Sequence, residues 1–389
     1  MQIFTDYFPD MEPGYPVGEL APIDRILFID IETTGLSREK TDLYLIGCGW
    51  FDKKGYNTIQ WFADSADDEP ALIEQFISFI SGRFSLLIHY NGNHFDIPYL
   101  RYKAEKHGYP DPFGSIENYD IYAAIKPYKN ILSLSSLRQR EIEQLLDINS
   151  TDPYTGRDLI SVYHRYVSNP AGELLGPLIF HNSEDLKGMA YILPILYYTD
   201  ICDLKLTYVS HEIHCFEDYH GNPHSELLIA CRHNLHIPKS FKTSRGQAIL
   251  SIRSDNTALL RLPVYIGTLK VFYGNYKDYY YLPNEDFCIH RSAASGVDPS
   301  RRKPATKETC YTKHTGIFIP LPCANPEAGA RGNQGTVPRS PSRNQGTVPR
   351  SPSILPYFRE TYESKELYIP YSEDTAEEQL KQLVEELKL

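Results

Sequence analysis

The chain has 389 residues, 41% apolar and 23% charged, with a formal net charge of −11 at pH 7. That length supports one large or two ordinary domains, each with its own core. The acidic balance excludes a wholly basic nucleic-acid coat but leaves room for a local basic groove, and with no run of about 18 apolar residues no membrane-spanning helix is expected.

Residues 1–22 show no periodicity and read as an N-terminal arm, without the basic and apolar regions of a secretory signal. The seven cysteines never form a Cys-x-x-Cys, so reduced thiols and a cytoplasmic location are expected. Ile26 to Ile29 are apolar, two carboxylates follow at Asp30 and Glu32, and Thr33-Thr34-Gly35-Leu36 closes the stretch. This reads as a buried strand over 25–32. Side chains at i and i+2 share a strand face, so Asp30 and Glu32 point the same way. Such a pair in a core strand is costly without a cation. It holds divalent metal, or it meets basic side chains from elsewhere.

Segments 42–50 and 56–62 read as two more strands of an antiparallel meander. Apolar positions 72, 73, 76, 77 and 80 mark a helix over 69–80 that stops at Gly82. A short strand over 85–90 leads to a helix with Pro98 in its first turn. Helices over 120–126, 133–147, 158–167 and 172–202, the last with a bend at Pro194, complete an α/β layer domain over 23–203.

From Thr207 the pattern becomes β-rich, with strands over 208–216, 227–231, 248–252, 258–265 and 269–273 separated by turn residues. This accessory domain covers 207–323. Residues 324–353 are rich in Pro, Gly and Ser and carry the same ten residues at 333–342 and 344–353. They read as an inserted low-complexity loop. Residues 354–389 return to the accessory domain and end in a helix with Leu380, Leu383, Val384 and Leu387 on one face.

Two stretches add chemistry to the first strand. Tyr90-Asn91-Gly92-Asn93-His94-Phe95-Asp96 runs from a strand through an Asn/Gly turn and places Asp96 at a helix start, where a carboxylate is also an ordinary cap. His181-Asn182-Ser183-Glu184-Asp185 puts His181 and Asp185 on one helical face. Asp-x-Glu on a first strand, Asn-x-x-x-Phe-Asp entering a helix and His-x-x-x-Asp on a later helix together resemble the DEDD, or DnaQ-like, exonucleases. The second stretch is similar to the proofreading exonuclease domain of family B polymerases, and the third to the YprB-type ribonuclease-H-like family. The resemblance spans roughly residues 22–202.

The resemblance implies a ribonuclease-H-like domain, a mixed sheet flanked by helices, followed by the smaller β-rich C-terminal domain. It implies a 3′–5′ exonuclease that hydrolyses phosphodiester bonds at single-stranded DNA or RNA 3′ ends. Asp30, Glu32, Asp96 and Asp185 would bind two Mg²⁺ or Mn²⁺ ions, which suit hard oxygen ligands and would clamp the scissile phosphate. Asp30 would bridge them, and His181 would act as general base or water positioner. Thr33, Thr34, Gly35 and Leu36 would line the groove, and Asn91 and Phe95 would position substrate or brace the loop. One departure stands out. The His-bearing branch of the superfamily spaces its motif His-x-x-x-x-Asp, whereas His181 has the spacing of the Tyr-bearing branch, and one residue turns a helical side chain by about 100°. Other readings are a non-cleaving nucleic-acid-binding protein on this fold and a scaffold whose C-terminal region binds a protein.

Three weaker features lie in the second domain. His211-Glu212-Ile213-His214-Cys215 lacks the His-Glu-x-x-His spacing and reads as a His-rich strand rather than a zinc site. Arg301, Arg302 and neighbouring lysines form a basic excess that suits a phosphate backbone or a solvated loop. The tyrosines at 273–281 read as hairpin core before base-stacking platform.

Overall fold

Alternation along the central strand sets the layout of the first unit. Leu27, Ile29 and Ile31 join an apolar core on one side of the sheet, while Phe28, Asp30 and Glu32 take the other. The sheet contains β1 (Gln2–Pro9), β2 (Ile26–Thr33), β3 (Leu43–Asp52), β4 (Gly55–Phe62), β5 (Leu86–His89) and β6 (Glu117–Asp120). Their order is β1-β4-β3-β2-β5-β6. The first four pair antiparallel, and β2, β5 and β6 run parallel. Helices α1 (Glu69–Ile80), α2 (Asp96–Lys106), α3 (Ile121–Ile125), α4 (Gln139–Leu145), α5 (Gly156–Ser168) and α6 (Gly172–Tyr191) surround it. This is the mixed α/β architecture expected of a ribonuclease-H-like domain.

The computed structural model describes residues 1–149, 151–321 and 357–387. They form two units, Met1–Ile201 with Ile237–Lys239, and Cys202–His236 with Ser240–Leu389. The tandem repeat over 333–353 lies outside the described residues. No helix of the described residues is long and apolar enough to cross a membrane.

Several elements differ from expectation. Part of the proposed arm is edge strand β1, whose outward Ile3 and Tyr7 weaken any periodic signal and whose partner β4 lies some fifty residues away. Strand β6, Glu-Asn-Tyr-Asp, has no apolar run and exists because β5 offers it a parallel edge. The helix expected over 133–147 is confined to α4. The long helix ends at Tyr191 and continues as a 3-10 segment, Leu193–Asp203. Pro194 cannot donate to the α-helical ladder, so the expected bend is a change of helix type.

The second unit contains a five-stranded antiparallel sheet of β7 (Leu206–Glu217), β8 (Pro223–His233), β9 (Phe241–Arg245), β10 (Ala248–Ile252) and β11 (Thr257–Pro263), ordered β7-β8-β11-β10-β9. Two three-stranded sheets follow. One joins β12 (Tyr265–Phe272), β16 (Tyr311–Pro320) and β17 (Tyr368–Pro370). The other joins β13 (Tyr279–Leu282), β14 (Phe287–His290) and β15 (Lys303–Pro304). A final helix, α7 (Ala376–Glu386), buries Leu380 and Val384.

Candidate active site

Strand β2 carries Asp30 and Glu32 toward α6. Its pairing with β3 shifts between Glu32 and Thr33, so Tyr44 drops out of register. Bulges of this kind re-aim side chains at functional edges. The Tyr44 hydroxyl donates to Glu32 Oε2 at 3.5 Å, and its ring stacks on Tyr163 of α5 at 4.1 Å. Asp96 is the first residue of α2, beside a turn in which Asn91 has φ +61°. The Asn91 amide donates to Asp120 Oδ1 at 2.9 Å, which braces that turn on the end of β6.

Three consecutive polar residues of helix α6, His181, Asn182 and Ser183, are all buried. Asn182 Nδ2 donates to Asp30 Oδ2 at 2.7 Å, and Asn182 Oδ1 accepts from Gln60 Nε2 at 2.8 Å. The amide therefore clamps the Asp30 carboxylate to β4. Gly47 on β3 makes room for it, since a Cβ there would lie 2.0 Å from Asn182 Oδ1.

His181 is gripped at both ring nitrogens. Nδ1 lies 2.5 Å from Asp152 Oδ2, and Nε2 is 3.6 Å from both Glu32 Oε1 and Asp185 Oδ2. Asp152 is itself fixed by Arg140 at 2.9 Å and by the Tyr154 amide at 3.0 Å. A carboxylate at Nδ1 favours the tautomer with Nδ1–H donating, which leaves the Nε2 lone pair facing the other acids. One donor atom each from Glu32, His181 and Asp185 falls within 4.8 Å of the others. At this spacing from Asp185 the imidazole thus stands among the carboxylates.

The electrostatics are those of crowded acids. Burial pushes Asp30 well above the ordinary carboxylate range, with repulsion from Asp185, Glu32 and Asp96 adding to it. Burial raises Glu32 to about 8 against the pull of His181. It raises Asp96 to about 7 despite backbone hydrogen bonds, and Asp185 to about 6 despite His181. Burial opposes the charged form of His181, but Glu32, Asp185 and Asp152 outweigh it and raise its pKa. Among the described residues no lysine or arginine forms an ion pair with any of the four acids. Of the two readings the sequence left open, the basic side chain that meets the pair on β2 is His181, 3.6 Å from Glu32.

The other expected residues lie around this centre. Thr33 Oγ1 donates to the Gly35 carbonyl at 2.8 Å, and Thr34 Oγ1 accepts from the Asp42 amide at 2.9 Å. Leu36 is 86% exposed. Phe95 packs on Tyr99 of α2 at 5.5 Å. Asp152 and Asn182 were not singled out as functional. Asn182 lies inside the His181–Asp185 motif and was visible there, whereas Asp152 arrives from a separate loop with no motif to flag it.

The weaker features resolve differently. His211 sits in β7 with Nδ1 2.6 Å from the Tyr208 hydroxyl, and His224 Nε2 is 3.2 Å from Asp218 Oδ2. No three-ligand cluster forms around them among the described residues. Arg301 and Lys313 pair with Glu285 and Asp286, which spends much of the basic excess internally. Tyr273 stacks on Tyr279 at 5.1 Å within a small core.

Residues 27–197 match the family model for the RNase_H superfamily. This part of the chain is a ribonuclease-H-like domain. Solved structures of exonuclease I also align. A zinc-bound complex of E. coli ExoI with ssDNA is 16% identical, with a TM-score of 0.29, over 53% of this chain and 54% of that one. Another exonuclease I structure is 13% identical, with a TM-score of 0.30, over 59% of this chain and 55% of that one. The chain spans about half the length of these structures. No curated protein matches it.

Proposed function

We propose that the N-terminal domain is a metal-dependent 3′–5′ exonuclease that hydrolyses phosphodiester bonds in single-stranded DNA or RNA. The observation that carries this is the convergence of Asp30, Glu32, Asp96 and Asp185, their pKa values pushed up by burial, with no lysine or arginine in an ion pair with them among the described residues. An all-oxygen set of this kind fits Mg²⁺ or Mn²⁺. Asp30, Glu32, Asp96 and Asp185 would hold two such ions. Bound there, the ions would supply Lewis-acid stabilisation of charge on the transferring phosphoryl group.

The chain's own residues do the rest. Asn182 holds the Asp30 carboxylate in one orientation through Gln60 and the space over Gly47. Asp152 holds His181 so that Nε2 offers a lone pair, which takes a proton from the attacking water in general-base fashion. Thr33 to Leu36 form the rim beside the acids, where the exposed Leu36 side chain meets the terminal nucleotide, while Asn91 and Phe95 brace the Asp96 turn. The protein works in the cytoplasm, where thiols stay reduced.

The test uses 5′-labelled single-stranded RNA and DNA with Mg²⁺ or Mn²⁺. Stepwise 3′ shortening is expected, abolished by EDTA and cut by about 10²–10³-fold in Asp30→Asn, the size of loss seen when a group stabilising developing charge is removed. Binding without shortening, across both metals and both substrates, overturns the nuclease reading in favour of a non-cleaving binder.

A further inference from the structure

The five-stranded sheet of the second unit is two-faced. Leu227, Ile229 and Cys231 of β8, with Ala258, Leu260 and Leu262 of β11, are buried on one side. The alternate residues project from the other side, and there a cavity of about 250 Å³ opens, lined by Val209, Ala230, Arg232, Arg253, Thr257 and Leu259. Strand register explains its shape. Arg232 stands across from Thr257, and Leu259 lies between Ala230 of β8 and Ser251 of β10. Small or aliphatic side chains form a low floor, and two arginines stand at its edge.

The charges at this edge are only partly offset among the described residues. Among the described residues neither Arg232 nor Arg253 forms an ion pair. Asp255 offsets part of the Arg253 charge electrostatically, its Oδ1 also accepting from the amide and hydroxyl of Thr257 at 3.0 and 2.6 Å. Lys242 sits across from Ser251 on the same face, also without an ion-pair partner. Elsewhere on that face Arg261 is matched by Glu226. In a chain of net charge −11, an unmatched pair of guanidinium groups over an apolar floor calls for an anion that carries a flat apolar body. Guanidinium forks suit phosphate oxygens, and the floor is large enough for one base.

We propose that this pocket binds single-stranded nucleic acid, with a base against Ala230 and Leu259 and the flanking phosphates on Arg232 and Arg253. The choice of occupant rests on the nuclease reading of the first domain, whereas the pocket itself lies wholly in the second unit.

The test uses the full chain in EDTA and fluorescein-labelled (dT)20 and (U)20, with affinity measured by anisotropy over a range of salt. Arg232→Glu with Arg253→Glu should raise Kd about tenfold or more and flatten the log–log salt slope by about 1.4, the value for two single-strand phosphate contacts. Arg232→Lys with Arg253→Lys keeps the charges and should retain most of the slope, which separates lost contacts from misfolding. Wild-type Kd and slope in the double glutamate variant overturn the proposal. An abasic deoxyribose-phosphate chain binding as tightly as (dT)20 overturns the base-holding floor. A small phosphodiester, thymidine 5′-p-nitrophenyl phosphate with Mn²⁺, reports the acidic site separately and should be cleaved equally by the wild type and the double glutamate variant. Failure of the wild type to cleave it counts against the nuclease reading, while the binding series still decides the pocket.

Discussion

Two buried glutamates in the same domain meet opposite fates. Glu69, at the start of α1, accepts from Lys103 Nζ at 2.6 Å, the Leu43 amide at 2.9 Å and His107 Nε2 at 2.7 Å. Burial works to raise its pKa, but these partners prevail and hold it down at about 2. Glu32, also buried, has His181 as its nearest cationic partner and three acids around it, and rises to about 8. The difference is where the positive charge comes from. At Glu69 the chain supplies it, which ties α1, α2 and the start of β3 together. Around Glu32 the described residues supply His181 alone among three acids, and that deficit is what supports the proposed metal site.

The comparison can be broken from either side. The largest effect should come from Lys103→Met, which removes the buried lysine from Glu69 and leaves it only Lys106 and His107 nearer the surface. A loss of about 3–5 kcal/mol is expected in urea unfolding, and a loss below about 1 kcal/mol would mean that Glu69 does not depend on its lysine. Lowering the pH approaches the same pair from the acid side. The folded pKa of Glu69, about 2, lies below its ordinary 4.5, so its contribution is fully present above pH 4.5 and fades as pH falls toward 2. That contribution is about 3 kcal/mol, and acid unfolding of Glu69→Gln should lack this part of the slope.

The other side is tested by adding the missing charge. Mg²⁺ or Mn²⁺ at a hundred times its Kd should stabilise the wild type by about 2.7 kcal/mol, read as a rise in Tm over an EDTA control. Asp30→Asn should lose that rise. An identical rise in both proteins would place the ion elsewhere. Asp152→Asn probes positioning and should have the smallest effect, about 10–100-fold in rate. Its KM should be unchanged while kcat falls, and Asp152→Glu should recover part of the loss. A proportional fall in Tm with wild-type kcat would reduce Asp152 to a structural contact.

Local signals were legible where the physics is local. The period of 3.6 over residues 69–80 and the stop at Gly82 sufficed for α1, whose bounds, Glu69–Ile80, match the reading. The meander followed from three apolar runs separated by turns, and Asp30, Glu32, Asp96, His181 and Asp185 were each visible as motif positions. Edge strands β1 and β6 were not, because a strand with one exposed face and a distant partner carries little pattern of its own.

The sequence by itself determined that two acids share a face of a central strand, that another opens a helix after an Asn/Gly turn, and that a histidine and an acid share a helical face. Spacing along one strand or helix is enough for that. Only the tertiary structure decided that, among the described residues, no lysine or arginine forms an ion pair with these acids, that Asn182 fastens Asp30 over Gly47, and that Asp152 turns His181 toward Glu32. Those facts depend on which side chains from separate loops, strands and helices come within about 3 Å of one another, a condition of packing that no single stretch of sequence contains.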